Sequence, residues 1–227
     1  MAEKTIDIAQ PVLSRNERIA DRLRTRFSES GVFVVNVLSS PGSGKTTTIL
    51  ASSERLRAAG LTCAVIEGDI ASDVDALACK DAGMPAIQIN TGGLCHLEGN
   101  MIEQAVDAFD TSVGLQDIDV IFIENVGNLV CPVDFDLGEN LSVMILSVPE
   151  GDDKPLKYPL MFQVVDVVLV NKMDVAPYFD FDLDKCRANV AMRNPNARVI
   201  PICAKTGEGM DEWYQWLRDQ VSAWKTA

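Results

Sequence analysis

The sequence predicts an α/β fold: a mostly parallel, doubly wound sheet of about seven strands flanked by helices. Three observations carry this. Apolar runs of strand length alternate with helix-like segments along the 227 residues. The first run feeds a Gly/Ser loop, Ser39 to Gly44, that opens directly into a helical segment. A later run, Val165 to Val170, stops at Asn171-Lys172-Met173-Asp174, so polar residues gather at a strand end.

The elements follow in order. Residues 12–29 set Leu13, Ile19, Ala20, Leu23 and Phe27 among charges, the pattern of an amphipathic helix. Residues 1–30 therefore read as an N-terminal helical segment, and 31–227 as one phosphate-loop domain. Strand 32–38 is followed by helix 46–59, closed by Gly60, then strand 62–67 and helix 73–82 with Ser72 as its cap. Strand 85–89, a Gly-containing loop and helix 98–110 come next. Strands 119–123, 141–147 and 165–170 follow, the last two joined by a charged, proline-containing connection. Helix 182–192, strand 197–202 and a Trp-rich helix 210–224 close the chain.

Composition narrows the function classes. A 47% apolar content suffices for a packed core. A net charge of −13 without a basic stripe argues against nucleic-acid binding. The apolar runs fall short of the roughly 20 residues that span a membrane. The N-terminus, Met-Ala-Glu-Lys-Thr-Ile-Asp, lacks signal-peptide character. Cysteines 63, 79, 95, 131, 186 and 203 show no CxxC spacing or disulfide-framework pattern, and a phosphate-loop protein works where nucleotide is, so a cytoplasmic location with reduced thiols is expected.

The loop after the first strand carries the chemistry of phosphate binding. Gly42, Ser43 and Gly44 let the chain curl so that backbone N–H groups face an anion at a helix N-terminus. Lys45 adds charge, Thr46 offers a hydroxyl to Mg²⁺, and Thr47 continues the helix beside the nucleotide. The usual eight-residue pattern begins with Gly; Ser39 stands there instead. Asn171, Lys172 and Asp174 then read as a guanine loop. One carboxylate accepts from both N1–H and the N2 amino group of guanine, a pair that adenine lacks. Cys203-Ala204-Lys205, after the last strand, occupies the place where GTPases put Ser-Ala-Lys against the base. GTP and GDP are the expected ligands.

Magnesium and hydrolysis call for carboxylates at strand ends. Glu124 ends an apolar run and starts Glu124-Asn125-Val126-Gly127, the form of a γ-phosphate switch using Mg²⁺ or the Gly127 N–H. Asp69 is favoured for the Mg²⁺ shell and Asp75 for ordering the attacking water; Asp73 and Asp75 equally suit a helix's acidic first turn. No obvious catalytic Gln or arginine finger is present, so slow intrinsic turnover is expected. The single histidine, His96, adjoins Cys95, and Cys131 lies seven residues beyond Glu124. Thiolate and imidazole suit Ni²⁺ or Zn²⁺, and that spacing lets metal and γ-phosphate bias one segment. Cys63, Cys79 and Cys186 read as core filling.

Several stretches together resemble the HypB family: Glu67-Gly68-Asp69-Ile70-Ala71-Ser72-Asp73, Cys95-His96-Leu97, Glu124 to Pro132, and Glu150 to Pro159. The resemblance spans about residues 30–220. It implies a P-loop NTPase fold and a GTPase that assists nickel insertion into [NiFe]-hydrogenase. It also implies nucleotide-dependent homodimerisation, with Cys95, His96 and Cys131 forming a metal site near the dimer interface. A HypA-like nickel-carrying partner and the hydrogenase large-subunit precursor are the implied partners. Many members carry an N-terminal cysteine motif or histidine tract; residues 1–30 here contain neither Cys nor His, so a separate nickel-carrying partner is the more expected source of the metal. Lys154 is a candidate contact to nucleotide or to the facing subunit, or else a solvated charge. Rival readings are a urease-maturation GTPase, which uses Cys-Pro-His where Cys95 here abuts His96, a small-molecule P-loop kinase, and a non-hydrolysing nucleotide- and metal-binding protein.

Overall fold

Strand-length apolar runs that lack polar alternation must be covered on both faces, and this sheet is. The computed structural model describes residues 9–69 and 74–226, with side chains over 12–69 and 76–226. In chain order the elements are α1 (Ala9–Ser30), β1 (Phe33–Ser39), α2 (Lys45–Ala58), β2 (Cys63–Asp69), α3 (Val74–Asp81), β3 (Ala86–Asn90), α4 (Gly99–Ser112) and β4 (Val120–Glu124). Then come β5 (Leu141–Ser147), α5 (Lys154–Lys157), α6 (Pro159–Val164), β6 (Val167–Asn171), α7 (Leu183–Ala191), β7 (Arg198–Pro201) and α8 (Met210–Lys225). Among the described residues the strands form one 7-stranded sheet, ordered β3-β2-β4-β1-β5-β6-β7. Every neighbouring pair is parallel.

Strand alternation divides the core. Val35, Val37, Val65 and Phe122 pack against Ile49 and Leu56 of α2 and Trp213, Leu217 and Val221 of α8. Val34, Ile66, Ile121 and Ile123 meet Ile19, Leu23 and Phe27 of α1 and Ile102, Val106 and Phe109 of α4. Val168 and Val170 join Met161 and Phe162 of α6 and Cys186 and Val190 of α7. Trp213 is 1% exposed, and its indole N–H donates to Ser52 Oγ at 2.8 Å, locking α8 onto α2. Trp213→Ala should destabilise the protein by about 3–5 kcal/mol in urea unfolding, as a deep cavity and a lost buried hydrogen bond require; a midpoint shift equal to that of an exposed-site control would refute this packing role.

The structure adds two helices to the connection between β5 and β6. The sequence reads there only as a charged, proline-containing connection, yet Pro155 and Pro159 occupy the first turns of α5 and α6, where a missing N–H costs nothing. The proposed cap Ser72 lies outside the described residues, and no described helix is long and apolar enough to cross a membrane. Parallel pairing brings the C-terminal ends of β1, β2, β4 and β6 to one edge, with Val37 and Glu67 each paired in register with Glu124. The site stands on that edge.

Candidate nucleotide pocket and metal cluster

The phosphate loop leaves β1 at Ser39 and enters α2 at Lys45. Gly44 caps that helix in the left-handed region at φ 100°, and a Cβ there would lie 2.5 Å from Asn171 Nδ2. Both facts demand glycine. Ser39, the departure from the usual pattern, accepts a hydrogen bond from Lys45 Nζ at 3.2 Å and donates to Ser40 O at 2.7 Å. The hydroxyl thus gives the lysine a resting partner.

Asn171 is a bracket between three loops. Its Nδ2 donates to Ser43 O at 2.9 Å, while its Oδ1 accepts from Lys172 N at 2.8 Å and Ala204 N at 3.1 Å. Lys172 takes a left-handed φ of 64° and donates from Nζ to Gly42 O at 2.7 Å. Such strain in a non-glycine residue clusters at ligand sites. The result is a pocket of about 230 Å³ uniting Gly44, Thr47, Asn171, Lys172, Asp174, Ala204 and Lys205. Asp174 is exposed at this pocket, and its Oδ1 accepts from the Cys203 thiol at 3.2 Å. A carboxylate so oriented presents two acceptors to a planar ring.

On the other side of the loop, a pocket of about 270 Å³ gathers Gly42, Lys45, Glu67, Asp69, Glu124 and Gly127. The Thr46 hydroxyl donates to Glu124 Oε1 at 2.9 Å. A Cβ on Gly127 would lie 2.8 Å from Pro41 N, so the 124–127 turn touches the phosphate loop directly. Hydroxyl and carboxylate oxygens are the donors Mg²⁺ prefers. Glu67 was not singled out by the sequence, although one acid ending the run Cys63-Ala64-Val65-Ile66 is the signal that marks it. The side chain of Asp75, like Asp73 entirely, lies outside the described residues. Lys154 lines neither pocket; its Nζ sits 5.2 Å from the Tyr158 ring centroid.

The structure brings Cys95, His96 and Cys131 together, with one ligand atom from each lying within 4.8 Å of the others. Cys95 Sγ donates to Cys131 Sγ at 2.8 Å and lies 3.8 Å from His96 Nδ1. His96 stacks on Phe135 at 3.9 Å between ring centroids, and its Nε2 is 3.5 Å from Glu98 Oε1. The carboxylate therefore faces the ring nitrogen turned away from the sulfurs, the usual support of a metal-binding imidazole. Asn128 Oδ1 accepts from Val130 N at 2.7 Å and Cys131 N at 3.3 Å, fixing the other half. The hydrogen bond with Cys95, and burial after it, hold the Cys131 thiol above its ordinary pKa. Burial pushes Cys63 and Cys186 up to about 12, the behaviour of inert core thiols.

The family described as CobW/HypB/UreG, nucleotide-binding domain, matches residues 33–201. Hydrogenase maturation factor HypB of Escherichia coli (strain K12) is 48% identical, covering 97% of this chain and 74% of its own. Hydrogenase/urease maturation factor HypB of Helicobacter hepaticus (strain ATCC 51449 / 3B1) is 44% identical over 92% of this chain and 85% of its own. Among solved structures, HypB from Helicobacter pylori in complex with nickel superposes with a TM-score of 0.88 at 36% identity, covering 92% of this chain and 96% of that one. With the family match running from β1 to β7 and close relatives covering nearly the whole sequence, this chain belongs to the HypB hydrogenase maturation factors of the CobW/HypB/UreG nucleotide-binding family.

Proposed function

We propose that this chain is a GTP-hydrolysing maturation factor that passes nickel toward [NiFe]-hydrogenase, with its Cys/His cluster as the cargo site. One observation carries the reading: residues 124–131 begin in the phosphate pocket at Glu124 and end in the cluster at Cys131. The guanine ring is assigned to Asp174, with Asn171, Lys172, Ala204 and Lys205 shaping its pocket. The phosphates are assigned to the backbone of Gly42, Ser43 and Gly44, with Lys45 and Thr47 beside them. Lys45 would leave Ser39 and neutralise the developing charge as water attacks the γ-phosphorus and GDP departs. Thr46 with Asp69 and Glu124 would hold Mg²⁺, which when bound would supply positive charge against the phosphates. Asp75 is assigned the ordering of the attacking water, and turnover is expected to be slow.

Glu124 and Gly127 would sense the γ-phosphate, and the segment they begin would carry that state to the metal cluster at Cys131. Three ligands leave a tetrahedral ion one short, so a homodimer ordered by GTP, with the clusters facing each other, is the natural assembly. Ni²⁺ is the cargo in this reading, and Zn²⁺ fits the same donors. A HypA-like carrier and the hydrogenase large-subunit precursor are the proposed partners, in the cytoplasm, without nucleic acid or membrane. Within the N-terminal segment of 1–30, α1 would brace the GTPase unit of 31–227 through its contacts with α4. A urease-directed role stays as the second reading, because the names of two relatives join hydrogenase and urease.

Single-turnover phosphate release from GTP·Mg²⁺ tests the enzyme. The parent should release phosphate at least about tenfold faster than Lys45→Ala, since the lysine serves the charge that grows in the transition state. Equal rates would leave a nucleotide- and metal-binding protein without hydrolysis.

A further inference from the structure

Two asparagines are buried at the sheet's core. Asn36, inside Val34-Val35-Asn36-Val37-Leu38, and Asn125 are each 1% exposed. Buried amides persist where their bonds are made, and these are. Asn36 Nδ2 donates to Glu139 Oε1 at 3.0 Å, and Asn36 Oδ1 accepts from Asn125 Nδ2 at 3.3 Å. Asn125 Oδ1 then accepts twice, from Val126 N at 2.9 Å and from Leu97 N at 3.3 Å. One oxygen thus holds the main chain of the turn that touches Pro41 and the main chain of the loop that carries Cys95 and His96.

Leu97 is built to transmit that bond. Its side chain is fully buried, and its methyl groups sit where a Cβ on Gly68 would lie, at 2.7 Å. The residue directly before it is His96. A shift of the peptide between Asn125 and Val126 must stretch or turn the bond to Leu97, because Asn36 prevents the carboxamide from following freely. We propose that Asn125 is the positioning residue through which the nucleotide state reaches Cys95 and His96, while Cys131 is reached along the chain itself. The switch segment therefore governs the separation of the two halves of the cluster from both sides. This rests on the proposed coupling of nucleotide and metal.

The test is Ni²⁺ titration of the full chain, with GDP or a non-hydrolysable GTP analogue bound, for the parent, Asn125→Ala and Asn125→Asp. The parent should show nickel affinities differing by about fivefold or more between the two states, as allosteric couplings commonly do. Asn125→Ala should bring that ratio to within about twofold of unity while nickel and nucleotide still bind. Asn125→Asp keeps an acceptor for Leu97 N–H but loses the Nδ2 donor that Asn36 anchors, so its ratio should fall between those of the parent and Asn125→Ala. A parental ratio in Asn125→Ala overturns the relay, as does loss of nickel and nucleotide binding together with the ratio. Amide exchange at Leu97 of the parent separates this from the underlying reading. If nickel affinities are equal in both states but Leu97 protection still follows the nucleotide, the coupling to metal fails and the relay stands. Protection that ignores the nucleotide overturns the relay, and it decides the matter should the variants not fold.

Discussion

Asp174→Asn is expected to weaken GTP binding by at least about a hundredfold while creating affinity for xanthosine triphosphate. The carboxylate would accept from two adjacent donors of guanine, and each bond to a charged acceptor contributes about 1.5–3 kcal/mol. Two such bonds set the lower bound, since 1.4 kcal/mol is about a factor of ten in affinity. The amide of asparagine offers N–H where an acceptor is needed, leaving one guanine donor opposed. Xanthine carries a carbonyl at that ring position, so the same amide fits it. The surroundings favour a clean exchange. Asp174 is exposed rather than packed, and it accepts from the weakly donating thiol of Cys203 at 3.2 Å. The bracket that shapes the pocket belongs to Asn171, not Asp174, so the loop survives the substitution. Fluorescent-nucleotide displacement with GTP, xanthosine triphosphate and ATP measures the outcome. An unaltered order of base preference would remove Asp174 from the guanine edge.

That division of labour shows where sequence reading stops. The seven strands were legible because an apolar run covered on both faces is a local pattern, and because loops that bind phosphate or purine begin where strands end. Cys95, His96 and Cys131 could be grouped from residue chemistry and from likeness to a family, and the structure puts their ligand atoms together. Partners fixed only by register were hidden. Glu67 meets Glu124 because β2 pairs with β4 at that offset, and no spacing along the chain encodes it. Asn36 and Asn125 are 89 positions apart and touch through the core. The helices α5 and α6 were missed for a different reason. Proline at a first helical turn and proline as a helix breaker look alike until the residues after it are seen to turn.

The cluster's own prediction follows from its donor count. Cys131→Ala removes one of the three proposed ligands, so nickel affinity should fall by more than about a hundredfold, the upper range for losing a mere supporting contact. Glu98→Gln and Phe135→Leu, which leave all three ligands in place, should cost about 10- to 100-fold or less. Cys95→Ala should match Cys131→Ala, because both sulfurs occupy one site at 2.8 Å. GTP affinity should change little in either cysteine variant, for neither residue lines the two pockets on the sheet edge. Nickel titration read by the thiolate-to-metal absorption band supplies affinity and ligand identity in one experiment. The band should weaken in each single variant and vanish in the double. If both single variants bind nickel as the parent does, the ion sits elsewhere, and the 124–131 segment has no cargo to act upon.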